Sequence, residues 1–415
     1  MKKILAALAL IFFTALLGGC WDRKEIDGLA LVTGYSFDYA ELEGGKPGVR
    51  FTVQVVNPAI LIGGQAGAGG TSGTGSTAKL FWTATETGET VRSTLTKLNY
   101  RVPKLLFFSH SRVALFGEKA ARNGLAPYLD RTMRSRESRE NNYMAVSKGD
   151  ASSVLEQEMP VFRTSALALN GIFSDKDGVQ SIMAVTLSEF LYRLSTGSTC
   201  PVAPVVEVVP QTSLTSEERK SGGSKNTVAI SRVAAFDQDG HLVDFFNERE
   251  TLGLMWVLNK SKLRVVTVPY FAGGLEEPIT LNLVRSKSKT VVSMGEDGMP
   301  NFEIKMEAKF DMLEQFGNQA PMSDADFYKS TEEAASSQII NEIEAAVKKA
   351  QQLNTDVFGF GEEVHRQRHR EWPQLKDNWS EIFPEMNVTV ECETSIRHRG
   401  LTVEGPGSRK EGGGD

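Results

Sequence analysis

The sequence predicts an α+β fold with mostly antiparallel sheets, and two segments of the last third indicate it most directly. Residues 301–312, NFEIKMEAKFDM, alternate polar and apolar side chains throughout, which is the period of a strand with one buried face. Residues 330–353 instead repeat apolar side chains at a spacing of about 3.6, which predicts one long helix. The chain has no run of alternating strand and helix units, so an antiparallel α+β arrangement is favoured.

The N-terminus has the features of a lipoprotein signal peptide. Two lysines precede residues 4–17, which are apolar or small and too few to span a bilayer of about 30 Å comfortably. Cys20 then follows two glycines, as in a bacterial lipobox, where the thiol takes a diacylglyceryl group and begins the mature chain. Two acyl chains anchor a protein stably. We therefore predict residues 1–19 as the signal peptide and Cys20 as the lipidation site; an ordinary secretory signal and a retained transmembrane anchor are the alternatives.

Composition limits the classes of partner. The 415 residues carry a formal charge of −6, and losing the signal with its two lysines makes it −8. This acidic balance argues against nucleic-acid binding and against electrostatic binding to anionic lipid. A mature chain of about 395 residues with 40% hydrophobic content is larger than one core usually holds. We therefore expect two or three domains, which lie outside the cytoplasm.

Cys200 and Cys392 are the other two cysteines of the chain. In an exported protein they could pair. Cys392, however, lies in step with the apolar positions of a predicted strand at 386–396, where a free cysteine behaves as a small hydrophobe. Free thiols are therefore favoured over a disulfide, and a metal site using them is favoured less still.

The N-terminal domain is predicted at residues 20–196 and has α+β character. Residues 49–55 alternate as a half-buried strand. Residues 63–78 contain only small, uncharged side chains and one glutamine, which predicts a flexible loop; it lacks the Gly-Lys-Ser/Thr of a phosphate-binding loop. Helices are predicted at 118–123, from 127 onward, and at 185–194.

A composition change near residue 197, where three prolines precede a polar Gly/Ser-rich stretch, predicts a boundary and a middle domain at residues 197–275. That domain begins with a hairpin that turns at Asp239-Gly240, followed by a helix at about 251–259. Asp237 and Asp239 faintly resemble a calcium loop. The downstream acidic ligands are missing, so the turn is the better interpretation.

The C-terminal domain is predicted at residues 276–400, as an antiparallel sheet packed on the one long helix. Ser330 and Glu333 have the spacing of a capping box and predict the start of this helix. A final strand carries Cys392. Residues 401–415, rich in glycine, are predicted to be a disordered tail.

A search for catalytic chemistry finds little. His365 and His369 are four residues apart, but Arg366 stands where a metalloprotease needs glutamate, so a basic helix facing solvent or a partner is favoured. Ser109 and His110 are sequence neighbours on a predicted strand and would point to opposite faces. We expect no catalytic site, no cofactor and no metal.

Two stretches are candidate partner contacts. Arg131, Arg134 and Arg136 lie in DRTMRSRESRE, for which a salt-bridged surface helix is the alternative. Phe358 and Phe360 lie in DVFGFG, where glycines permit a tight turn and packing against the core is the alternative.

Four motifs together resemble a known family. Cys20-Trp21-Asp22 with Glu25-Ile26 is similar to the start of the C-subunit lipoproteins of spore nutrient-germinant receptors, the Ger(x)C family. Three further landmarks of that family follow in the same order: LDRTMRSRESRENNYMAVSKGDASSVL, SRVAAFDQDGHLVDFFNERETLGLMWVL and NTDVFGFGEEVHRQRHREW. No one motif is diagnostic, but the ordered set covers nearly the whole mature chain. The loop at 63–78 and the tail after Gly400 depart from the family frame.

The resemblance implies a three-domain α+β lipoprotein on the outer face of the inner spore membrane. It would assemble with an A subunit and a transporter-like B subunit, both membrane-embedded, in a complex triggered by small nutrients. Cys20 maps to the lipidated residue, Trp21 joins the candidate partner contacts, and no enzymatic residue is implied. The solute-binding lipoprotein of an ABC importer is the alternative, and a lipid-anchored hydrolase is a third.

Overall fold

The computed structural model describes nine segments of the chain and two single positions. The segments are residues 28–56, 81–134, 141–159, 164–175, 182–210, 226–262, 264–272, 275–316 and 325–398, with Ile4 and Phe162 as the single positions. Cys20, Trp21, Arg136, the loop predicted at 63–78 and the tail predicted at 401–415 lie outside these residues.

The described residues form an α+β structure with two sheets, which confirms the predicted fold class. The strands are β1 Leu29–Leu42, β2 Lys46–Val56, β3 Phe81–Gly88, β4 Leu105–Phe107, β5 Val113–Gly117, β6 Tyr143–Ser147, β7 Val202–Pro210, β8 Asn226–Phe236, β9 Leu242–Phe246, β10 Val265–Ala272, β11 Leu275–Met294, β12 Pro300–Gln315 and β13 Asn387–His398. The helices are α1 Val91–Arg101, α2 Glu118–Arg122, α3 Ala126–Arg134, α4 Ser152–Leu155, α5 Ser165–Ser174, α6 Leu187–Thr196, α7 Glu248–Val257, α8 Ala325–Gln352, α9 Phe360–Gln367, α10 Trp372–Leu375 and α11 Trp379–Ile382.

The first sheet has nine strands in the order β3-β2-β1-β5-β6-β7-β8-β9, with β4 paired to β1. Its outer strands pair antiparallel, whereas β1, β5, β6 and β7 pair parallel at its centre. The central strand β5 is buried along its whole length, because Val113 and Leu115 pack into one core cluster and Ala114 and Phe116 into another. Burial on both faces is typical of parallel strands covered by helices.

The first sheet also crosses the boundary predicted near residue 197. Strand β7 begins at Val202 and pairs with β6 and β8 in that sheet. The composition change at 197 therefore does not coincide with a break in hydrogen bonding, because extended, proline-containing residues join the sheet instead of leaving it. The division of the chain into three domains stays a prediction.

The second sheet has the order β10-β11-β12-β13, and helix α8 packs against it. The alternation predicted for β12 is confirmed: Phe302, Ile304 and Met306 are buried, and Lys305 and Glu307 are exposed. The purely antiparallel sheet predicted here is wrong for β13, which pairs parallel with β12. The reason is that α8 and the segment after it return the chain to the end of the sheet where β12 starts.

Two helix starts differ from their predictions. Helix α8 begins at Ala325, and Ser330 lies inside it with its hydroxyl donating to the Phe327 carbonyl at 3.0 Å, so the capping box predicted at Ser330 is wrong. An interior serine satisfies itself by bonding back to the preceding turn. Helix α7 starts earlier than expected, because Asn247 caps it and forms a capping box with Glu250. The hairpin turn at Gly240, with φ of 82°, is confirmed.

Candidate functional site

The aspartate–aromatic–glycine turn, residues 356–361, is built around one buried carboxylate. Asp356 Oδ1 accepts the backbone N–H groups of Gly359 and Phe360 at 2.8 and 2.9 Å. Asp356 Oδ2 accepts the N–H of Gly361 at 2.8 Å and Nε1–H of Trp379 at 3.1 Å. Burial raises the pKa of Asp356, and the four donors act in the opposite direction. The carboxylate thus satisfies the first N–H groups of α9, which no intrahelical partner can satisfy.

The two phenylalanines of this turn are buried, which corrects their assignment as partner contacts. Phe360 packs against Phe302 of β12, Phe358 and Phe383, with ring centroids 4.6, 5.1 and 6.4 Å apart. Burying an aromatic ring contributes strongly to core stability. The turn therefore uses both rings to attach itself to the second sheet, and neither ring presents a surface to another protein.

The same turn is bonded to the first sheet. The backbone N–H of Cys200 donates to the Asp356 carbonyl at 2.8 Å. From α6, Arg193 Nη1 donates to the Val357 carbonyl at 2.8 Å, and the pKa of this guanidinium is lowered by burial. These bonds make residues 356–361 a joint between the end of α6, the start of β7 and the second sheet.

A buried ion pair forms a second joint, which links helices α7 and α8 and the residue before β10. Arg264 donates to both oxygens of Glu342 in α8, at 2.9 Å each, and Trp256 Nε1–H of α7 donates to the same carboxylate at 2.8 Å. Helix α7 reaches α8 closely enough that a Cβ on Gly253 would meet the Glu342 backbone carbonyl. Bidentate pairing and an indole donor leave this buried carboxylate fully engaged.

Of the predicted arginine contacts, the structure describes one side chain. Arg134, in the last turn of α3, is 79% exposed and pairs with Asp130 four residues earlier at 2.9 Å. The side chains of Arg131 and Arg136 lie outside the described residues, as do Cys20 and Trp21. The structure thus shows a helix as far as Arg134 with one i,i+4 ion pair, and contact with a partner through Arg131, Arg134 and Arg136 stays a prediction.

The two described cysteines are free thiols, and His365 and His369 lie on different segments. Cys200 and Cys392 are both free, and burial raises the pKa of each thiol to about 12. His365 stacks on Trp372 with centroids 5.8 Å apart, whereas His369 follows the end of α9, so the two histidines do not share one helix.

One cluster of possible ligating groups stands out among the described residues, and it serves the hairpin turn. Asp237, Asp239 and His241 have side-chain atoms within 4.8 Å of one another. Asp237 Oδ1 accepts the backbone N–H groups of Asp239 and His241 at 3.0 and 2.8 Å, which is what a turn aspartate does. The turn interpretation of this segment therefore accounts for the cluster.

Within the part of the chain that the structure describes, none of the helices combines the length and apolar character needed to cross a bilayer.

Comparison with known proteins decides the family. Residues 22–208 match the family described as "Spore germination protein N-terminal domain", and residues 231–400 match "Spore germination B3/ GerAC like, C-terminal". The chain belongs to the spore germination GerAC family. The resemblance based on four ordered motifs is thereby confirmed.

Relatives in Bacillus subtilis (strain 168) cover almost the whole chain. Spore germination protein KC is 23% identical over 97% of both chains, and putative spore germination protein YfkR is 26% identical over 97% of this chain and 98% of its own. The crystal structure of the GerBC protein shares the fold, with a TM-score of 0.54, 16% identity and coverage of 90% of this chain and 99% of that one.

Sequence reasoning singled out the 356–361 turn but missed what it joins. Its bonding partners, Cys200 and Arg193, are more than 150 positions away, and no local pattern connects them. Glu342 carried no signal either, because a glutamate at a buried position of a helix is recognisable only once Arg264 and Trp256 are placed beside it.

Proposed function

We propose that this chain is the lipid-anchored, non-enzymatic C subunit of a spore germinant receptor. It would be held by a diacylglyceryl group on Cys20 at the outer face of the inner spore membrane and would assemble with membrane-embedded A and B subunits that respond to small nutrients. The observation that carries the proposal is the pair of family matches, which follow each other in order and begin at residue 22, directly after the lipobox.

The architecture favours a rigid docking subunit and disfavours a two-lobed solute-binding protein. A solute-binding lipoprotein closes two lobes on a ligand and needs a hinge between them. Here one buried cluster includes Phe37 of the first sheet and Phe302 of the second. The bonds at Asp356 and Glu342 add links between segments that flank the sheets. A body of this kind is suited to transmitting or stabilising an arrangement of its membrane partners.

The buried carboxylates support a non-enzymatic role. Asp38 accepts the backbone N–H groups of Ala151 and Ser152, Asp356 accepts four donors, and Glu342 is engaged by Arg264 and Trp256. Each is used as a structural acceptor. A catalytic carboxylate needs a free oxygen that faces substrate.

The experiment that tests the proposal is purification of the tagged full-length lipoprotein from detergent-solubilised spore membranes, with identification of the retained proteins by mass. Two multi-spanning partners, one of them transporter-like, are expected. An ATP-driven permease in their place would establish the importer alternative and overturn the proposal.

The anchor is tested separately by Cys20→Ala, which removes the thiol that would be acylated. The variant should leave the membrane fraction, since the two acyl chains on Cys20 are proposed to supply the stable attachment to the bilayer. An unchanged membrane fraction would refute the anchor at Cys20.

A further inference from the structure

The end of the first sheet that carries the N-terminus, which we call the anchor end, contains a cavity of about 740 Å³. Its wall is formed by Leu29 of β1, Val56 of β2, Phe81 and Trp82 of β3, and Val102 after α1. Leu29 also pairs with Leu105 of β4, so the first residue of β1 lies beside the cavity and beside the shortest strand of the sheet.

Three large side chains near this cavity are exposed to solvent. Trp82 is 45% exposed, Leu105 is 50% exposed, and Tyr100, two residues before Val102, is 86% exposed. A tryptophan in the wall of the cavity, with an exposed tyrosine and an exposed leucine within two residues of the cavity wall along the chain, is unusual for a surface that meets only water. Tryptophan and tyrosine are instead enriched where one end of the side chain is in an apolar phase and the other in water.

The length of the tether places this end close to the membrane, given the lipid on Cys20 under "Proposed function". Eight residue steps separate Cys20 from Gly28, so the connection spans at most about 29 Å. A folded chain of this size is about 50 Å across. The anchor end therefore has to stay near the bilayer surface, whereas the opposite end of the molecule lies beyond the tether's reach.

The charges around the cavity indicate apolar insertion and not electrostatic attraction. Lys104 lines the cavity, but so do Glu156 and Glu158, so the rim carries no excess of positive charge. A surface of this kind gains from contact with the acyl and interfacial region of a neutral bilayer and gains little from anionic headgroups.

We propose that the anchor end is a second membrane contact, in which Trp82, Leu105 and Tyr100 enter the interfacial region of the phospholipid bilayer. The lipid on Cys20 holds the chain at the membrane, and this contact fixes which end of the body faces it. The inference rests on the proposed lipid anchor, and it concerns orientation, which the anchor by itself leaves open.

Trp82 is a natural reporter for this contact. The described tryptophans Trp256, Trp372 and Trp379 are buried, so a Trp21→Phe background leaves Trp82 as the exposed one. The lipidated full chain in this background is reconstituted into phosphatidylcholine vesicles whose acyl chains carry bromine, which quenches an indole on contact. We expect strong quenching of the Trp82 emission, unchanged by high salt, and its loss in the additional variant Trp82→Phe.

A matched pair of leucine variants tests the surface itself. Leu105→Asn should weaken the contact about tenfold, because that is the factor expected for removing a half-exposed leucine from an apolar phase. Leu313→Asn changes a leucine that is 57% exposed on the second sheet, and quenching should stay as it was.

The outcomes separate the inference from the anchor. If the protein stays on the vesicles but the Trp82 emission is not quenched, the membrane contact is overturned and the anchor stands. If the protein does not stay on the vesicles, both the contact and the anchor are overturned. A third outcome is that Trp82 emission is protected from an aqueous quencher in the intact receptor but not on vesicles. That result would assign the surface to a protein partner and so overturn the bilayer contact.

Discussion

Replacing Asp356 with asparagine tests whether the 356–361 turn holds the two sheets together. The substitution keeps the shape of the side chain and exchanges one oxygen for an NH2 group. Because Oδ1 and Oδ2 each accept two N–H donors, either orientation of the new amide leaves two buried donors facing an NH2 group. The turn therefore cannot recover its bonding by a flip of the side chain.

The structure sets the size of the effect. Each buried donor left without an acceptor costs roughly 1–3 kcal/mol, and losing a negative charge at the start of a helix costs roughly 0.3–1 kcal/mol more. The variant also escapes the cost of burying a charge, which is the cause of the raised pKa of Asp356. We expect a net decrease of about 2–4 kcal/mol in the free energy of unfolding.

Urea denaturation followed by circular dichroism measures this change, and hydrogen exchange at Gly359, Phe360 and Gly361 localises it. Asp377→Asn is the matched control, since Asp377 is exposed on the neighbouring turn and its loss should change stability by at most about 0.5 kcal/mol. A decrease below about 1 kcal/mol for Asp356→Asn, or unaltered exchange at the three amides, would contradict the role assigned to the turn.

Four further predictions concern the other features of the fold. Gly253→Ala should lower the Tm although alanine favours a helix by about 1 kcal/mol, because its Cβ meets the facing backbone of α8; an unchanged Tm would show that the helices can separate freely. The native thiols of Cys200 and Cys392 should react with iodoacetamide about a thousandfold more slowly at pH 8 than after unfolding, because burial raises the pKa of each from 9.0 to about 12; fast native labelling would refute their burial. For the same reason stability should be retained below pH 9 and be lost as the pH rises toward 12, since the unfolded thiols ionise first. Charge reversal at Arg134 and Arg136 should reduce recovery of the receptor complex without changing the Tm, whereas recovery at the normal level would leave α3 as a plain surface helix.

Local patterns were sufficient wherever an element is defined by its own neighbours. The alternation from Phe302 onward marked β12 correctly, and Gly240 marked the hairpin, because strand period and turn geometry depend on adjacent residues. The start of α8 was placed wrongly, because a serine with a glutamate three residues later has capping chemistry at Ser330 but finds a helix already formed by Ala325.

Whether two strands pair parallel or antiparallel could be decided only from the tertiary structure. Strand β13 has the same alternation whether it runs parallel or antiparallel to β12, and only the path of the chain through α8 selects the parallel arrangement. The prolines near residue 201 likewise predicted a boundary, yet β7 joins the first sheet, because a neighbouring strand was available to pair with it.

By itself, the sequence determined the α+β class and the family and predicted the lipidation site at Cys20, since each depends on residue type and order along the chain. The tertiary structure decided that Phe358 and Phe360 belong to the core and that Asp356 and Glu342 bond segments distant in sequence. It also decided that the exposed Trp82 lines the same cavity as Leu29, the first residue of β1. Burial and hydrogen bonding are properties of pairs of residues distant in sequence, so no single segment can specify them.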